Sequence, residues 1–120
     1  QVGFDATAFE NVTEGDALYM RTSDGQVGKA TASDGTSEAA TVVGFANATA
    51  AANTTVKVIV VGLKTMSGLD AGDLYFLSPS TAGAITLTPP SSAGQAVVRL
   101  GEAATTTTLA IQIEPPIKLS

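Results

Sequence analysis

The chain has no cysteine, no histidine and no tryptophan among its 120 residues. The first absence removes disulfides and thiol nucleophiles. The second removes imidazole acid–base work, and the two together remove the usual zinc ligands. Aromatic residues make up only 5%, so a core has to be assembled mainly from Val, Leu, Ile and Ala. Basic residues are scarce and dispersed: Arg21, Lys29, Lys57, Lys64, Arg99 and Lys118. The net charge of −5 disfavours phosphate backbones, so no nucleic-acid partner is expected. Charged residues amount to 14%, below the roughly one quarter of ordinary domains, which leaves little protection against association. Oligomerisation is therefore expected. The longest apolar run, Val58 to Leu63, is interrupted by Gly62 and is too short to cross a bilayer, and no segment reads as a signal peptide. No membrane partner is expected. The sequence starts at Gln1 without Met, as an initiator removed, a start further upstream or proteolytic processing would leave it.

What is abundant is Ala, with 20 residues, and Thr, with 17. Thr favours strands, and the Ala residues sit among Thr, Gly, Ser and Asn without a helical period. A chain of this length suits one domain and not two. Residues 1–12 stand apart as an N-terminal arm carrying Val2, Phe4, Phe9 and Val12, which either packs on its own domain or docks on a partner. Residues 13–120 read as a single β domain. Strands are expected at Ala17–Thr22, Gln26–Thr31, Thr41–Ala46, Thr55–Val61, Asp73–Leu77, Ala84–Thr88, Gln95–Leu100 and Leu109–Ile113. Ser23-Asp24-Gly25 supplies a hairpin turn, and Pro89-Pro90 blocks extension of the strand before it. Asn47–Asn53 reads as a small-residue loop or single helical turn, Gly62 and Gly68 flank a connector with Leu63 and Met66, and Ile117–Ser120 forms an extended tail.

The two halves align, approximately 13–62 with 70–114. Gly15-Asp16 precedes Leu18-Tyr19-Met20, as Gly72-Asp73 precedes Leu74-Tyr75-Phe76. Val42-Val43-Gly44-Phe45 matches Val97-Val98-Arg99-Leu100, and Thr54–Val58 matches Thr107–Ile111. A period of about fifty residues implies two copies of one supersecondary unit. Four short strands cannot bury an apolar face alone, so two such units are expected to close on each other as a small β-barrel.

Chemistry is sparse. Asp16 and Asp73 read as turn residues that follow a Gly of positive φ. Calcium at Asp70 with Asp73, or at Glu14 with Asp16, falls short of the roughly six to eight oxygens that ion takes. No phosphate loop, nucleophile elbow or paired-carboxylate constellation stands out. The Asn-x-Thr triplets at Asn11, Asn47 and Asn53 arise easily in so Thr-rich a chain. Neither an enzyme nor a cofactor is expected.

Several of these stretches resemble phage head decoration, or capsid cement, proteins. They are Gly15-Asp16 to Tyr19, Gly44-Phe45-Ala46, Val56 to Gly62 and Gly72-Asp73-Leu74-Tyr75. Ala71–Ile85 with Pro89-Pro90, Gly94-Gln95 and Ile111–Pro116 also resembles a module of phage head-fibre and tail-fibre proteins. The likeness spans about Thr13 to Pro116. It differs from lambda-type decoration proteins in the duplicated plan and the Pro-Pro tail. The resemblance implies a small β-barrel or β-tulip body, a homotrimer at local three-fold positions, and a place on the outer capsid surface of the virion. The partner implied is the major capsid protein. On this reading Val2, Phe4, Phe9 and Val12 are the candidate capsid contacts, and Leu63, Met66 and Leu69 the candidate trimer interface. The alternative is a fibre or receptor-binding module that contacts host surface glycan. It ranks second because aromatic platforms are few. A carboxylate-dependent hydrolase ranks third.

Overall fold

Val, Ile and Thr crowd the stretch after Asn53, and β-branched side chains at that density favour an extended backbone. The computed structural model, which describes residues 2–119, makes this stretch its longest strand. In chain order the strands are β1 (Val2–Thr7), β2 (Ala17–Met20), β3 (Val27–Lys29), β4 (Gly44–Ala46), β5 (Thr55–Thr65) and β6 (Leu74–Leu77). There follow β7 (Ile85–Thr86), β8 (Ala96–Val97), β9 (Arg99–Thr105), β10 (Thr108–Ile111) and β11 (Ile117–Lys118). A single 3-10 turn at Glu38–Ala40 is capped by Ser37, whose hydroxyl accepts from the Ala39 N–H at 3.1 Å. The chain is all-β, as expected, and its main sheet is strongly curled into a half-barrel.

The sheet reads the same from either end. One end runs β3-β2-β4-β5 and the other β7-β6-β9-β10, with β5 beside β10 in the middle and β1 flanking β5. β8 and β11 form a separate two-stranded sheet. The two Gly-Asp turns are built alike. Gly15 and Gly72 adopt φ of 92° and 87°, which glycine enters without a Cβ penalty. Gly15 N–H donates to Ala46 O at 2.9 Å and Gly72 N–H to Ala103 O at 2.7 Å. Ala46 N–H returns to Asp16 O at 2.9 Å and Ala103 N–H to Asp73 O at 3.0 Å.

These bonds also correct the alignment of the halves. Leu18 lies opposite Gly44, and its counterpart Tyr75 lies opposite Gly101, so Gly44 answers to Gly101 and not to Arg99. Ala46 lies opposite Val58, and Ala103 opposite Leu109, so Val58 answers to Leu109 and not to Ile111. Leu18 thus answers to Tyr75, one residue past the Leu74 that the Leu-Tyr match suggests, while the two later shifts are two residues each. An even slip keeps every side chain on its face, which is why an apolar pattern of period two did not reveal it. Gly44 and Gly101 share a further property: a Cβ on either would press into a backbone carbonyl, that of Ile59 or of Ala110.

Two apolar clusters result. The larger joins both halves and includes Phe45, Ile59, Tyr75, Leu77, Val98, Leu100 and Leu109. The smaller lies behind the first half and holds Ala8, Val12, Leu18, Val27, Ala46, Val56 and Val58. β2 serves both, because alternate residues face opposite ways: Ala17 and Tyr19 belong to the larger, Leu18 and Met20 to the smaller.

The smaller cluster overturns the boundary between arm and domain. β1 pairs with β5 along its whole length. Val12 exchanges hydrogen bonds with Ala50 at 2.9 and 3.0 Å. Ala8 and Val12 are buried, and Phe4 packs against them. Residues 2–12 are the outer wall of the body, not a detachable arm, because β5 would otherwise leave one edge and the smaller cluster open. Residues 1 and 120, ends of the expected arm and tail, lie outside the described residues. β5 also runs past Gly62 to Thr65, where a connector was expected, because β10 pairs with its second half.

Two outcomes follow for stability. A chain lacking residues 1–12 loses buried Ala8 and Val12 and the ladder to β5. Burying one Val contributes about 1.5–3 kcal/mol, so the shortened chain is expected to lose its cooperative unfolding transition in urea. Gly101→Ala is expected to destabilise by about 1–3 kcal/mol through overpacking against the Ala110 carbonyl, read from the same transition.

Candidate functional site

Residues directly opposite in an antiparallel pair share a face of the sheet. Leu63 lies opposite Ala110, Ala110 opposite Glu102, and Glu102 opposite Leu74. One rung therefore crosses β5, β10, β9 and β6. Its other side is the larger cluster, where Lys64 lies opposite Leu109 and Leu109 opposite Ala103. The rung itself faces outward: Leu63 is 57% exposed and Leu74 41%. Val61 stands two residues before Leu63 on β5 and lies opposite Val2. Leu74, Phe76 and Leu87 line one shallow hollow of about 480 Å³ with Gly72 and Asp73. Of the six large apolar side chains most exposed in the described residues, only Ile117 lies away from this surface. Glu102 is the acid at its centre; it is exposed and has no ion pair among the described residues.

A second open feature is the outer edge of β1. The Ala8 N–H bonds to Thr54 O at 2.9 Å. Alternation along an antiparallel ladder then turns the backbone groups of Ala6 and Phe4 toward β5, and those of Gly3, Asp5 and Thr7 away from it. Just past Thr7 the same edge is closed by β3, where Ala8 bridges Val27 in parallel and the Phe9 N–H donates to Val27 O at 3.0 Å. Gly3 and Asp5 are exposed, so this edge presents unpaired ladder donors and acceptors to solvent.

A cleft of about 510 Å³ separates the halves, lined by Glu14, Asp16, Thr65, Met66, Ser67 and Ile85 among others. The hydrogen bond from Ala17 N–H to Gly83 O, 2.9 Å, ties the halves together beside it. The Lys64 ammonium lies buried near this cleft. It donates to Glu14 Oε2 at 3.0 Å and to Thr65 O at 3.0 Å, so the buried charge is neutralised and bonded. Asp16 Oδ2 accepts from the Thr13 N–H at 2.8 Å and serves the turn. Burial pushes the Asp16 carboxyl above the usual carboxylate range, against the turn hydrogen bond from Thr13, which lowers it. On the surface, the Arg21 guanidinium holds Asp24 down, and Thr36 does the same for Asp34. Among the described residues no three acids gather as metal ligands, and Asp70 meets the fold through its N–H, which donates to the Tyr75 hydroxyl at 2.8 Å.

The anticipated site residues are scattered. Val2 is exposed at the start of β1, but Phe4 is half-buried and Val12 is buried in the smaller cluster. Phe9 stacks edge-on to Tyr19 with ring centres 5.9 Å apart, under the Arg21 guanidinium at 3.9 Å. Val2, Phe4, Phe9 and Val12 thus do not form one outward anchor. Leu63, Met66 and Leu69 do not form one interface either: Leu63 faces solvent, Met66 borders the cleft and packs on the larger cluster, and Leu69 belongs to that cluster. Sequence reasoning missed Glu102, Leu74 and Leu87. The available signal was apolar residues at consecutive positions of β6, Leu74-Tyr75-Phe76-Leu77, which put Leu and Phe on whichever face the core does not use.

The chain matches no protein-family model and no curated protein.

Asp16 has a pH consequence. A carboxyl whose pKa is raised by folding binds its proton more tightly in the native state, so it penalises folding above that pKa and ceases to do so as pH falls through it. Asp16→Asn retains an acceptor for Thr13 and carries no charge. The variant is expected to melt higher than the parent at pH 7, with the gap closing on acidification through the carboxylate range. Thermal melts at several pH values check this.

Proposed function

We propose that the chain is a capsid decoration protein, a non-enzymatic structural component that binds the outside of a phage head and braces neighbouring shell subunits. The observation that carries this reading is the open edge of β1. The first part of this strand stands at the margin of the body, with Gly3 and Asp5 turning backbone donors and acceptors outward before the edge closes where Ala8 bridges Val27 of β3. A strand of the major capsid protein adds to this edge through main-chain hydrogen bonds, and exposed Val2 packs beside it. The attachment is thus an edge of the folded body, in place of a free arm anchored by Phe4 and Phe9. Three copies in a homotrimer make the second and third contacts intramolecular, which multiplies a weak single contact. The acidic surface suits the outside of the shell, away from packaged DNA. In this role the chain has neither nucleic acid nor membrane as a partner and needs no cofactor.

A fibre module that grips glycan is the weaker reading, since Phe9 and Tyr19 are stacked on each other and Tyr75 is buried.

The test uses emptied heads of the phage that encodes the chain, stripped of their own copy. The wild-type chain is expected to bind saturably over the whole shell. Asp5→Pro removes an outward N–H that β5 does not use, and proline on an edge blocks strand addition. It is expected to weaken head binding by about tenfold or more while unfolding stays cooperative. Undiminished binding by Asp5→Pro would refute the edge, and binding only at the tail would refute the shell.

A further inference from the structure

We infer that the cleft between the end of β5 and β7 is a strand-acceptor groove, which takes an extended, basic segment of another protein against Ile85. The groove is separate from the edge of β1 and does not depend on the head-binding reading.

The first half shows what such a groove holds. There Ala8 bridges Val27 in parallel and the Phe9 N–H donates to Val27 O at 3.0 Å, so extended chain closes the seam beside β3. Ile85 is the counterpart of Val27. The Ser78 N–H donates to Ala84 O at 3.0 Å, as the Arg21 N–H donates to Gln26 O at 2.8 Å. Ile85 then lies opposite Leu77, as Val27 lies opposite Met20. The Leu77 N–H goes to Val98 O at 3.0 Å, so the backbone groups of Leu77 and Ile85 turn away from each other. Those of Ile85 turn to the margin of the sheet, where β7 is the last strand, and they have no hydrogen-bond partner among the described residues.

The second half cannot fill this seam from its own chain. Thr65 lies opposite Thr108, and Asp5 opposite Lys57, the counterpart of Thr108. Asp5 stands ten residues before Gly15, but Thr65 only seven before Gly72. The shorter link turns back at once: the Met66 N–H donates to Thr107 O at 2.8 Å and the Leu69 N–H to Thr106 O at 3.0 Å. What remains is the cleft of about 510 Å³, lined by Thr65 to Ser67 on the β5 side, by Gly83 to Ile85 on the β7 side and by the Glu14–Asp16 turn. A strand entering it gains the free main-chain groups of Ile85 and packs on the side chains of Met66 and Ile85.

Charge sets the kind of segment. The charged groups about the cleft are Glu10, Glu14 and Asp16 against Lys29 and Lys64. Lys64 is bonded to Glu14, while Lys29 and Glu10 act on Asp16 with opposite sign, which leaves one acid in excess. Asp16 makes no ion pair among the described residues. A Lys or Arg of the incoming segment offsets this excess, and an acidic segment is repelled by it.

The experiment pans a library of random heptapeptides against the full chain and measures synthetic copies of the recovered peptides by calorimetry and by amide chemical shifts. The peptides are expected to carry Lys or Arg and to move the amides of Thr65 to Ser67 and of Gly83 to Ile85. The peptide backbone is then N-methylated one residue at a time. The methyl group is expected to weaken binding by about tenfold or more at the residue that donates to Ile85 O, and much less at its neighbours. Asp16→Asn, folded as its urea transition verifies, is expected to bind the same peptides about threefold or more weakly. A library that yields no peptide overturns the inference, as does binding indifferent to every N-methyl group or to Asp16→Asn. Shifts confined to Gly3 and Asp5 also overturn it, because they place the peptide on the edge of β1.

Discussion

The backbone ladder of β5 is the constraint on which the molecule turns. β5 pairs with β1, β4 and β10, and so touches the N-terminal wall, the first half and the second half at once. Its side chains feed both clusters: Val56 and Val58 enter the smaller, and Ile59 the larger. Backbone groups of a central strand that lost these partners would be left buried and unbonded, at a penalty comparable to a hydrogen bond each. The close approach of neighbouring chains to this ladder is also what requires glycine at Gly3 and Gly44. A Cβ on either would strike a carbonyl of β5.

The two halves share a topology and differ in what covers them. In the first half β2 is buried on both faces, by the larger cluster on one side and by residues of the N-terminal segment on the other. In the second half β6 is buried on one face only. Ala17 in the covered setting answers to Leu74 in the uncovered one, and Tyr19 to Phe76. One duplicated unit thus yields one closed half and one half with an apolar surface toward solvent. A surface of that kind on a small protein is characteristic of contact with other chains. The open edge of β1 lies beside it, with Val2 opposite Val61 joining the two features.

Charge is used sparingly and mostly locally. Asp24 and Asp34 serve their own turns, accepting from Gln26 and Thr36. Lys64 is the exception, an ammonium drawn beneath the surface and bonded to Glu14 from the other side of the cleft. Such pairs add little net stability, but their geometry is exacting, so this one helps to set how the Gly15-Asp16 turn meets the end of β5. Lys118 rests its stem against Gly35 and its charge helps to hold Asp34 down, whereas Glu102 is exposed and makes no ion pair among the described residues.

The all-β class, the hairpin at Asp24-Gly25, the Gly-Asp turns and the doubled plan are all legible in the chain itself. Each rests on a local property: β-branched density, positive φ at glycine, or the breaking of a strand by Pro-Pro. The inward set Leu109, Ile111 and Ile113 was legible for the same reason, since alternation is a property of one strand. Three matters belong to the tertiary structure. Alternation carries no information about an even slip, so only the ladders could pair Gly44 with Gly101. Aromatic residues near a terminus look the same whether they dock or pack, so only the contacts of Phe9 and Val12 could place them inside. Finally, β6 is apolar on both faces, and only the packing of the halves decided that Tyr75 and Leu77 would be covered while Leu74 would face water.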